Sequence, residues 1–168
     1  MDTRATVDAS DGRHARFSKK LYTLTIAGGV VFWAVTIATS LLPIAADYRA
    51  AGVNFNIQTV WVDSLFVGMI IGCLVSYSLL RYFDKIPTNN PILKSEILIF
   101  IALVIVSILI EVPASFRTSD TLYYFIIGTM LNLPRFLFLG LSIGYLYKRL
   151  YGSAGILVSG QPTILPPA

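Results

Sequence analysis

The chain contains one cysteine, Cys73, and one histidine, His14, among its 168 residues. A single cysteine excludes an intrachain disulfide and a redox pair of cysteines. Because His14 lies in a polar N-terminal segment, the apolar runs offer no imidazole to hold haem, copper or zinc. We therefore expect no cofactor and no metal, which argues against a cytochrome, a copper oxidase, a zinc protease or a thiol oxidoreductase.

Charged residues are scarce as well. They make up 13% of the chain, and hydrophobic residues make up 55%, whereas roughly 25% of an average soluble domain is charged. This polar surface is too small to cover a water-soluble globule, so we expect the chain to fold in a lipid bilayer. The net charge of +4 does not indicate nucleic-acid binding, because the basic residues flank the apolar runs and do not form one patch.

Four long apolar runs organise the chain. They predict transmembrane helices at about residues 21–45, 58–82, 92–115 and 122–150. The predicted fold is all-α, an integral membrane four-helix bundle formed by residues 21–151. Residues 1–20 predict a polar tail that is disordered or peripherally bound, and the Gly/Pro-rich residues 152–168 predict an extended tail.

Basic residues are distributed unequally between the two sides of the predicted bundle. Ten of the 13 lie on the side that carries both termini, and only Arg49 and Arg117 lie in the loops on the other side. Cytoplasmic segments of membrane proteins carry the excess of Lys and Arg. We therefore predict a multi-pass protein of a prokaryotic plasma membrane or an organellar membrane, with both termini on the cytoplasmic side.

The second and fourth runs share a sequence pattern. Phe66–Leu74 and Phe138–Leu146 both read FxGxxIGxL, and the second segment follows the first by 72 residues. The same offset aligns Leu21 with Leu93, near the starts of the first and third runs. The pattern is what two hairpins related as parallel repeats would show. A chance match is the alternative, because apolar helices are built from few residue types.

Three charged residues of the predicted spans lie toward the side of the membrane opposite the termini: Asp63, Glu111 and Arg135. A charge in the bilayer core costs at least ~2.5–3.5 kcal/mol on insertion scales, and pairing is the usual compensation. At 1.5 Å per residue, Arg135 lies about 20 Å from Lys148, and Asp63 lies about 27 Å from Arg81. These depths place the three side chains in the outer half of the membrane, where we predict an intramembrane charge cluster.

This predicted cluster has three interpretations. It is either a structural ion pair that holds helices or a partner subunit together, or a site for an ion, a proton or an anionic head group. In the third interpretation Arg135 extends to the membrane interface without a partner. The repeat offset places Asp63 and Arg135 at equivalent positions of the second and fourth runs, which favours a pairing between them.

Small residues form stripes on two of the predicted helices, with Gly68 and Gly72 on the second and Gly140 and Gly144 on the fourth. Glycines four residues apart let helix backbones approach closely. At 100° per residue, each stripe lies about 140° around its helix from the nearby charge. If the charges face the bundle interior, we expect at least one glycine stripe to be free to contact another protein.

The segment Asn132-Leu133-Pro134-Arg135 interrupts the fourth run. Asn132 suits a helix cap and Pro134 suits a first helical turn, which predicts a helix break at membrane depth of the kind found in transporters. An ordinary proline kink, compensated by the neighbouring helices, is the interpretation that we favour.

The sequence contains no pattern of a nucleophile with its base, a phosphate-binding loop, a metal cluster or paired catalytic carboxylates, so we do not expect an enzyme. Our first hypothesis is a non-catalytic accessory or structural subunit of a larger membrane protein complex, bound to other membrane protein subunits in a hetero-complex. The alternative is a small oligomeric transporter or channel whose path uses Asp63, Glu111 and Arg135. A membrane enzyme that acts on lipid is the third and weakest hypothesis.

Overall fold

The computed structural model describes residues 3–52, 56–116 and 120–151, and every regular element in these segments is helical. The elements in chain order are α1 (Thr3–Ser40), α2 (Pro43–Gly52), α3 (Ile57–Arg81), a 3-10 turn (Phe83–Lys85), α4 (Pro91–Val106), a π-helical turn (Ser107–Glu111), α5 (Val112–Ser115) and α6 (Thr121–Tyr151). The extended tail predicted at residues 152–168 lies outside the described residues.

Four helical segments are long and apolar enough to cross a membrane. They are Arg16–Ser40, Ile57–Arg81, Pro91–Glu111 and Thr121–Tyr151. The prediction of an all-α fold with four apolar membrane-length helices is therefore confirmed for the described part of the chain. The sidedness of the termini and the repeat stay predictions.

The ends of the first helix differ from the predicted ones. α1 begins at Thr3, so residues 3–20 are helical where the sequence predicts a polar tail that is disordered or peripherally bound. This segment contains no proline and a single glycine, so nothing in it stops a helix from propagating out of the apolar run. α1 ends at Ser40 and not near residue 45, because Pro43 suits the first turn of a new helix, α2.

Asparagine side chains mark the starts of α3 and α4. The Asn56 Oδ1 atom accepts a hydrogen bond from the Gln58 backbone N–H at 3.3 Å, and the Asn90 Oδ1 atom accepts one from the Ile92 N–H at 3.0 Å. Each bond satisfies one of the free N–H groups of a helix start. Pro91 follows Asn90 in the first turn of α4, where its missing N–H is not needed.

The helices form two hairpins. α1 packs along α3, α4 packs along α6, and α1 also packs along α6, so the two hairpins share a long interface. The buried apolar core lies where they meet, and its members are Phe32, Ile71, Val75, Leu79, Ile99, Leu103, Phe136, Leu139 and Ile143. The rings of Phe32 and Phe136 join α1 to α6 edge to face, with centroids 5.6 Å apart. Because lipid is as apolar as these side chains, moving them out of lipid provides no hydrophobic driving force. The core is therefore stabilised by close van der Waals packing between the helices.

The glycine stripe of α3 lies against α1. A Cβ atom at Gly68 would come within 2.9 Å of the Phe32 ring, and one at Gly72 would lie 3.2 Å from the Thr25 carbonyl oxygen. The absence of side chains at Gly68 and Gly72 therefore lets α1 approach α3 closely.

The glycine stripe of α6 is occupied in the same way, by α4. A Cβ atom at Gly140 would lie 2.9 Å from Ile99 Cγ1, and one at Gly144 would lie 2.7 Å from the Ile92 Cα atom. Each stripe thus faces the partner helix of its own hairpin. The expectation that one stripe is free for another protein is therefore wrong, because helix pairing within the hairpins uses both.

Side-chain contacts show which helix ends lie together. At one end the Lys20 Nζ atom lies 4.5 Å from the centre of the Tyr151 ring, and Phe83 stacks on Tyr147 with ring centroids 5.1 Å apart. We call this the terminal end. Ser40 at the end of α1, Ile57 at the start of α3 and Thr121 at the start of α6 lie at the opposite end of the bundle, which we call the hairpin end.

Candidate functional site

A buried acidic residue, Glu111, lies at the hairpin end, and only 7% of this residue is exposed. Glu111 closes the π-helical turn, in which the Val112 N–H donates to the Ser107 carbonyl. Pro113 follows and has no N–H to continue the α-helical pattern. Because a π turn holds one more residue than an α turn, it redirects the side chains that follow, and such turns recur at functional sites.

Both oxygens of the Glu111 carboxylate accept hydrogen bonds. The Tyr48 hydroxyl donates to Oε2 and the Asn132 amide donates to Oε1, each at 2.6 Å. A third residue, Gly128, makes room for this arrangement. A Cβ atom there would collide with the carboxylate and lie 2.7 Å from the Tyr48 hydroxyl. The carboxylate is therefore held between α2 and α6 in a space that only a glycine leaves open.

Arg135 joins the same hydrogen-bond network from α6. Its Nε atom donates to the Thr39 hydroxyl of α1 at 3.0 Å, and its Nη1 atom donates to the Asn132 Oδ1 atom at 3.1 Å. Asn132 therefore bridges the guanidinium and the Glu111 carboxylate, since it accepts from one and donates to the other. The two opposite charges are thus connected by the Asn132 amide, and the low dielectric of the protein interior strengthens both of its hydrogen bonds.

The helix α2 brings Tyr48 to the network. Ala45 of α2 packs against Ile127 and Leu131 of α6, with Tyr48 beside them. Burial raises the pKa of the Tyr48 hydroxyl, and the hydrogen bond to Glu111 and the Glu111 charge raise it further, while Arg135 acts in the opposite direction. The hydroxyl therefore keeps its proton at neutral pH and remains a donor to the carboxylate.

A cavity of about 310 Å³ lies beside this network. Asp63 and Arg49 line its wall together with Glu111, Asn132 and Arg135. Asp63 is exposed on α3, and among the described residues it makes no hydrogen bond to either of the other predicted cluster members. The structure thus links Glu111 to Arg135 through Asn132 and places Asp63 across the same cavity.

Two further side chains fix the hairpin end of α1. The Arg49 Nη1 atom donates to the Ser40 carbonyl at 2.9 Å, and the Trp61 Nε1 atom donates to the Ser40 hydroxyl at 2.9 Å. A cation at a helix C-terminus is stabilised by the helix dipole. These contacts tie α2 and α3 to the last residue of α1.

The structure does not contain the helix break considered at Asn132 and Pro134. One helix runs from Thr121 to Tyr151, with Pro134 inside it. Pro134 leaves the Met130 carbonyl without its usual partner, but the helix continues on both sides of it. The irregular backbone lies instead on the facing helix, at Ser107–Glu111.

A second carboxylate, that of Glu96 on α4, lies in a different environment. Its Oε1 atom is buried and has no hydrogen-bond partner in the described part of the chain. The side chain borders a groove of about 380 Å³ whose other walls are apolar, among them Leu93, Phe100 and Leu137. Gly140 lies beneath it, since a Cβ atom there would come within 2.8 Å of Oε1.

The sequence analysis did not single out Glu96, Tyr48, Thr39 or Gly128. A signal was available for Glu96, because a carboxylate within the most apolar run is a candidate site residue by position alone. No comparable signal marks Thr39, Tyr48 or Gly128, whose roles depend on how the helices are oriented. No group of three His, Cys, Asp or Glu side chains that could hold a metal ion occurs among the described residues.

Comparison with known proteins gives no relative from which a function could be transferred. No protein-family model matches the chain, and neither a curated protein nor a solved structure matches it significantly. The geometry of the two carboxylates and of the cavity is therefore the basis from which we infer a function.

Proposed function

We propose that this small multi-pass membrane protein is a non-catalytic subunit of a larger membrane protein complex. The observation that carries the proposal is the buried Glu96 Oε1 atom, which has no hydrogen-bond partner among the described residues. In hydrocarbon there is no water to supply the missing bond, so such an atom costs free energy until another group donates to it.

The groove beside Glu96 indicates where that donor comes from. Its walls include Leu93, Ile97 and Phe100 of α4 and Leu137 of α6, all of which are exposed on the surface of the chain. Glu96 lies about 8 Å along the helix from Pro91, at 1.5 Å per residue, so its carboxyl group lies within the apolar part of the bundle. The occupant we propose is a transmembrane helix of another subunit that places a Lys, Arg, Ser or Asn donor at this depth.

The hydrogen-bond network at the hairpin end supports a structural role for the rest of the chain. Glu111 and Asn132 each bond on both polar atoms of their side chains, and Arg135 bonds to Thr39 of α1 and to Asn132 of its own helix. Groups engaged in this way hold helices in place and are not poised for proton transfer or nucleophilic attack.

Purification from the source membranes in mild detergent tests the proposal. We expect the wild-type chain to migrate in native electrophoresis with a stoichiometric set of larger subunits, and Glu96→Leu to release it. Glu96→Gln should retain most of the complex, because the amide oxygen still accepts a hydrogen bond. Leu74→Ala, which changes an exposed residue of α3 away from the groove, is the matched control and should leave the complex intact.

A homo-oligomer would contradict the subunit proposal. The particle mass would then be an integer multiple of 18.5 kDa, without other chains. Retention of partner subunits by Glu96→Leu would contradict the role of the groove.

A small oligomeric transporter is the second candidate, favoured by the charged side chains that line the cavity beside the Glu111 and Arg135 network. In that case Asp63→Asn should leave a folded homo-oligomer that no longer moves solute across proteoliposome membranes. In a structural subunit the same variant should assemble normally.

A further inference from the structure

The cavity at the hairpin end lies between the two hairpins. Val60, Asp63, Ser64 and Val67 of α3 form one wall, and Val106 and Ile110 form the opposite wall. At the rim, Val67 is 37% exposed and Ile110 is 54% exposed. The cavity therefore borders the surface that faces the bilayer, and a molecule can enter it sideways from the lipid.

The charged groups of the cavity are not all engaged. Both oxygens of the Glu111 carboxylate already accept hydrogen bonds, from Tyr48 and Asn132. The guanidinium of Arg135 carries five N–H donors, of which two are bonded in the described part of the chain. Arg49 has one bonded donor, to Ser40. The remaining donors are available to an anionic group in the cavity.

Asp63 supplies the opposite charge. It lines the same cavity and accepts no hydrogen bond from the described residues. A simple anion would meet this carboxylate, and a simple cation would meet Arg49 and Arg135. A ligand that carries both an anionic oxygen group and an ammonium group complements all three side chains.

The apolar walls specify the rest of the ligand. Besides these charges, the cavity is lined mostly by hydrophobic side chains, including Phe32, Leu131 and Phe136 on its inner side. Acyl chains that leave between Val67 and Ile110 would lie on a surface that is already apolar. A water-soluble solute without acyl chains would gain little binding free energy from this apolar rim.

We propose that this cavity binds a phospholipid with a zwitterionic head group. The phosphate accepts hydrogen bonds from Arg135 and Arg49, the ammonium group pairs with Asp63, and the acyl chains leave between the hairpins. This lipid site goes beyond the subunit role and does not depend on the Glu96 groove, which shares only Phe136 with the lining of the cavity.

The test measures lipid binding by the purified, delipidated protein with native mass spectrometry. The probes are phosphatidylethanolamine, phosphatidylglycerol, diacylglycerol and free phosphoethanolamine. We expect phosphatidylethanolamine to bind most tightly. Asp63→Asn should weaken it about tenfold, because one charge-assisted hydrogen bond is lost, and should not weaken phosphatidylglycerol, because a negative charge that repels this anionic lipid is removed. Asp63 is exposed and makes no hydrogen bond to the Glu111 network, so this variant should fold normally.

A second pair of variants distinguishes lipid binding in the cavity from lipid binding elsewhere on the surface that faces the bilayer. Ile110→Trp fills the rim and should abolish the preference for phosphatidylethanolamine. Ile105→Trp, at an equally exposed position of α4 outside the cavity, should retain it. Equal binding of all three lipids would overturn the proposal, and so would an unchanged affinity in Asp63→Asn. Binding of free phosphoethanolamine as tight as that of the lipid would assign the cavity to a soluble solute instead.

Discussion

Glu96 and Glu111 lie on the same apolar segment, Pro91–Glu111, but their carboxylates differ in how many hydrogen-bond donors they receive from the described residues. Glu111 is surrounded by donors from α2 and α6, so both of its oxygens are satisfied within the protein. Glu96 keeps a buried oxygen that the described chain leaves without a donor. The comparison teaches that position in a membrane helix does not define a role. A satisfied carboxylate holds its own fold together, and an unsatisfied one points to a neighbour.

The largest effect should come from removing the satisfied carboxylate. Glu111→Leu leaves the Tyr48 hydroxyl and the Asn132 amide without their acceptor and leaves Arg135 without its compensating charge. Removal of one member of a buried charged pair typically costs about 3–5 kcal/mol. Thermal unfolding in detergent should show a correspondingly large loss of stability.

The double variant Glu111→Leu/Arg135→Leu is the control for this prediction. It removes both charges, so it should recover part of the loss. If Glu111→Leu alone unfolded like the wild type, the network would have no structural role, and the contrast between the two carboxylates would fail.

A smaller effect should follow from filling the space in which Glu111 lies. Gly128→Ala introduces a methyl group against the carboxylate and the Tyr48 hydroxyl, and overpacking of this kind costs about 1–3 kcal/mol. Gly29→Ala is a suitable control, because the added Cβ atom first meets the flexible end of Met69, at 2.7 Å. Denaturation of both variants in the same detergent should show the larger loss for Gly128→Ala, and an equal loss would mean that the carboxylate moves freely.

The smallest effect, with the opposite sign, is expected at the unsatisfied carboxylate. Glu96→Leu removes a buried acceptor that has no partner, so the isolated chain should be as stable as the wild type or more stable by up to about 1 kcal/mol. The measurement is thermal unfolding of the purified chain, separated from any partner subunits. A loss as large as that of Glu111→Leu would show that Glu96 is satisfied within the chain, which would erase the difference between the two sites.

The sequence predicts the membrane helices well, because a run of about 20 apolar residues has few other stable environments. It also identifies Glu111 and Arg135 as residues at one depth, since rise per residue converts position into height. It does not reveal that Asn132 bridges them. That arrangement depends on the rotation of α6 about its axis, which is set by packing between helices and not by any local pattern.

The two prolines show the same limit. Pro134 suggests a break that does not form, whereas Pro113 follows an irregular turn that the sequence analysis did not anticipate. One proline lies inside a continuous helix and the other follows a π-helical turn, so the effect of a proline on a membrane helix depends on the surrounding bundle. The glycine stripes are another example. Gly68 and Gly140 are recognisable as close-contact positions, but the helix that occupies each of them follows from the pairing within the hairpins.

The π-helical turn at Ser107–Glu111 adds one residue to the count of a regular helix, which corresponds to about 100° of rotation. Without it, the residue that enters the site would be a neighbour of Glu111, and the carboxylate would point elsewhere around the helix. Shortening this turn by one residue would therefore change which side chain faces Gly128 while leaving every contact upstream of Ser107 in place. The direction of the Glu111 side chain thus depends on the number of residues in the π-helical turn as well as on which residues these are.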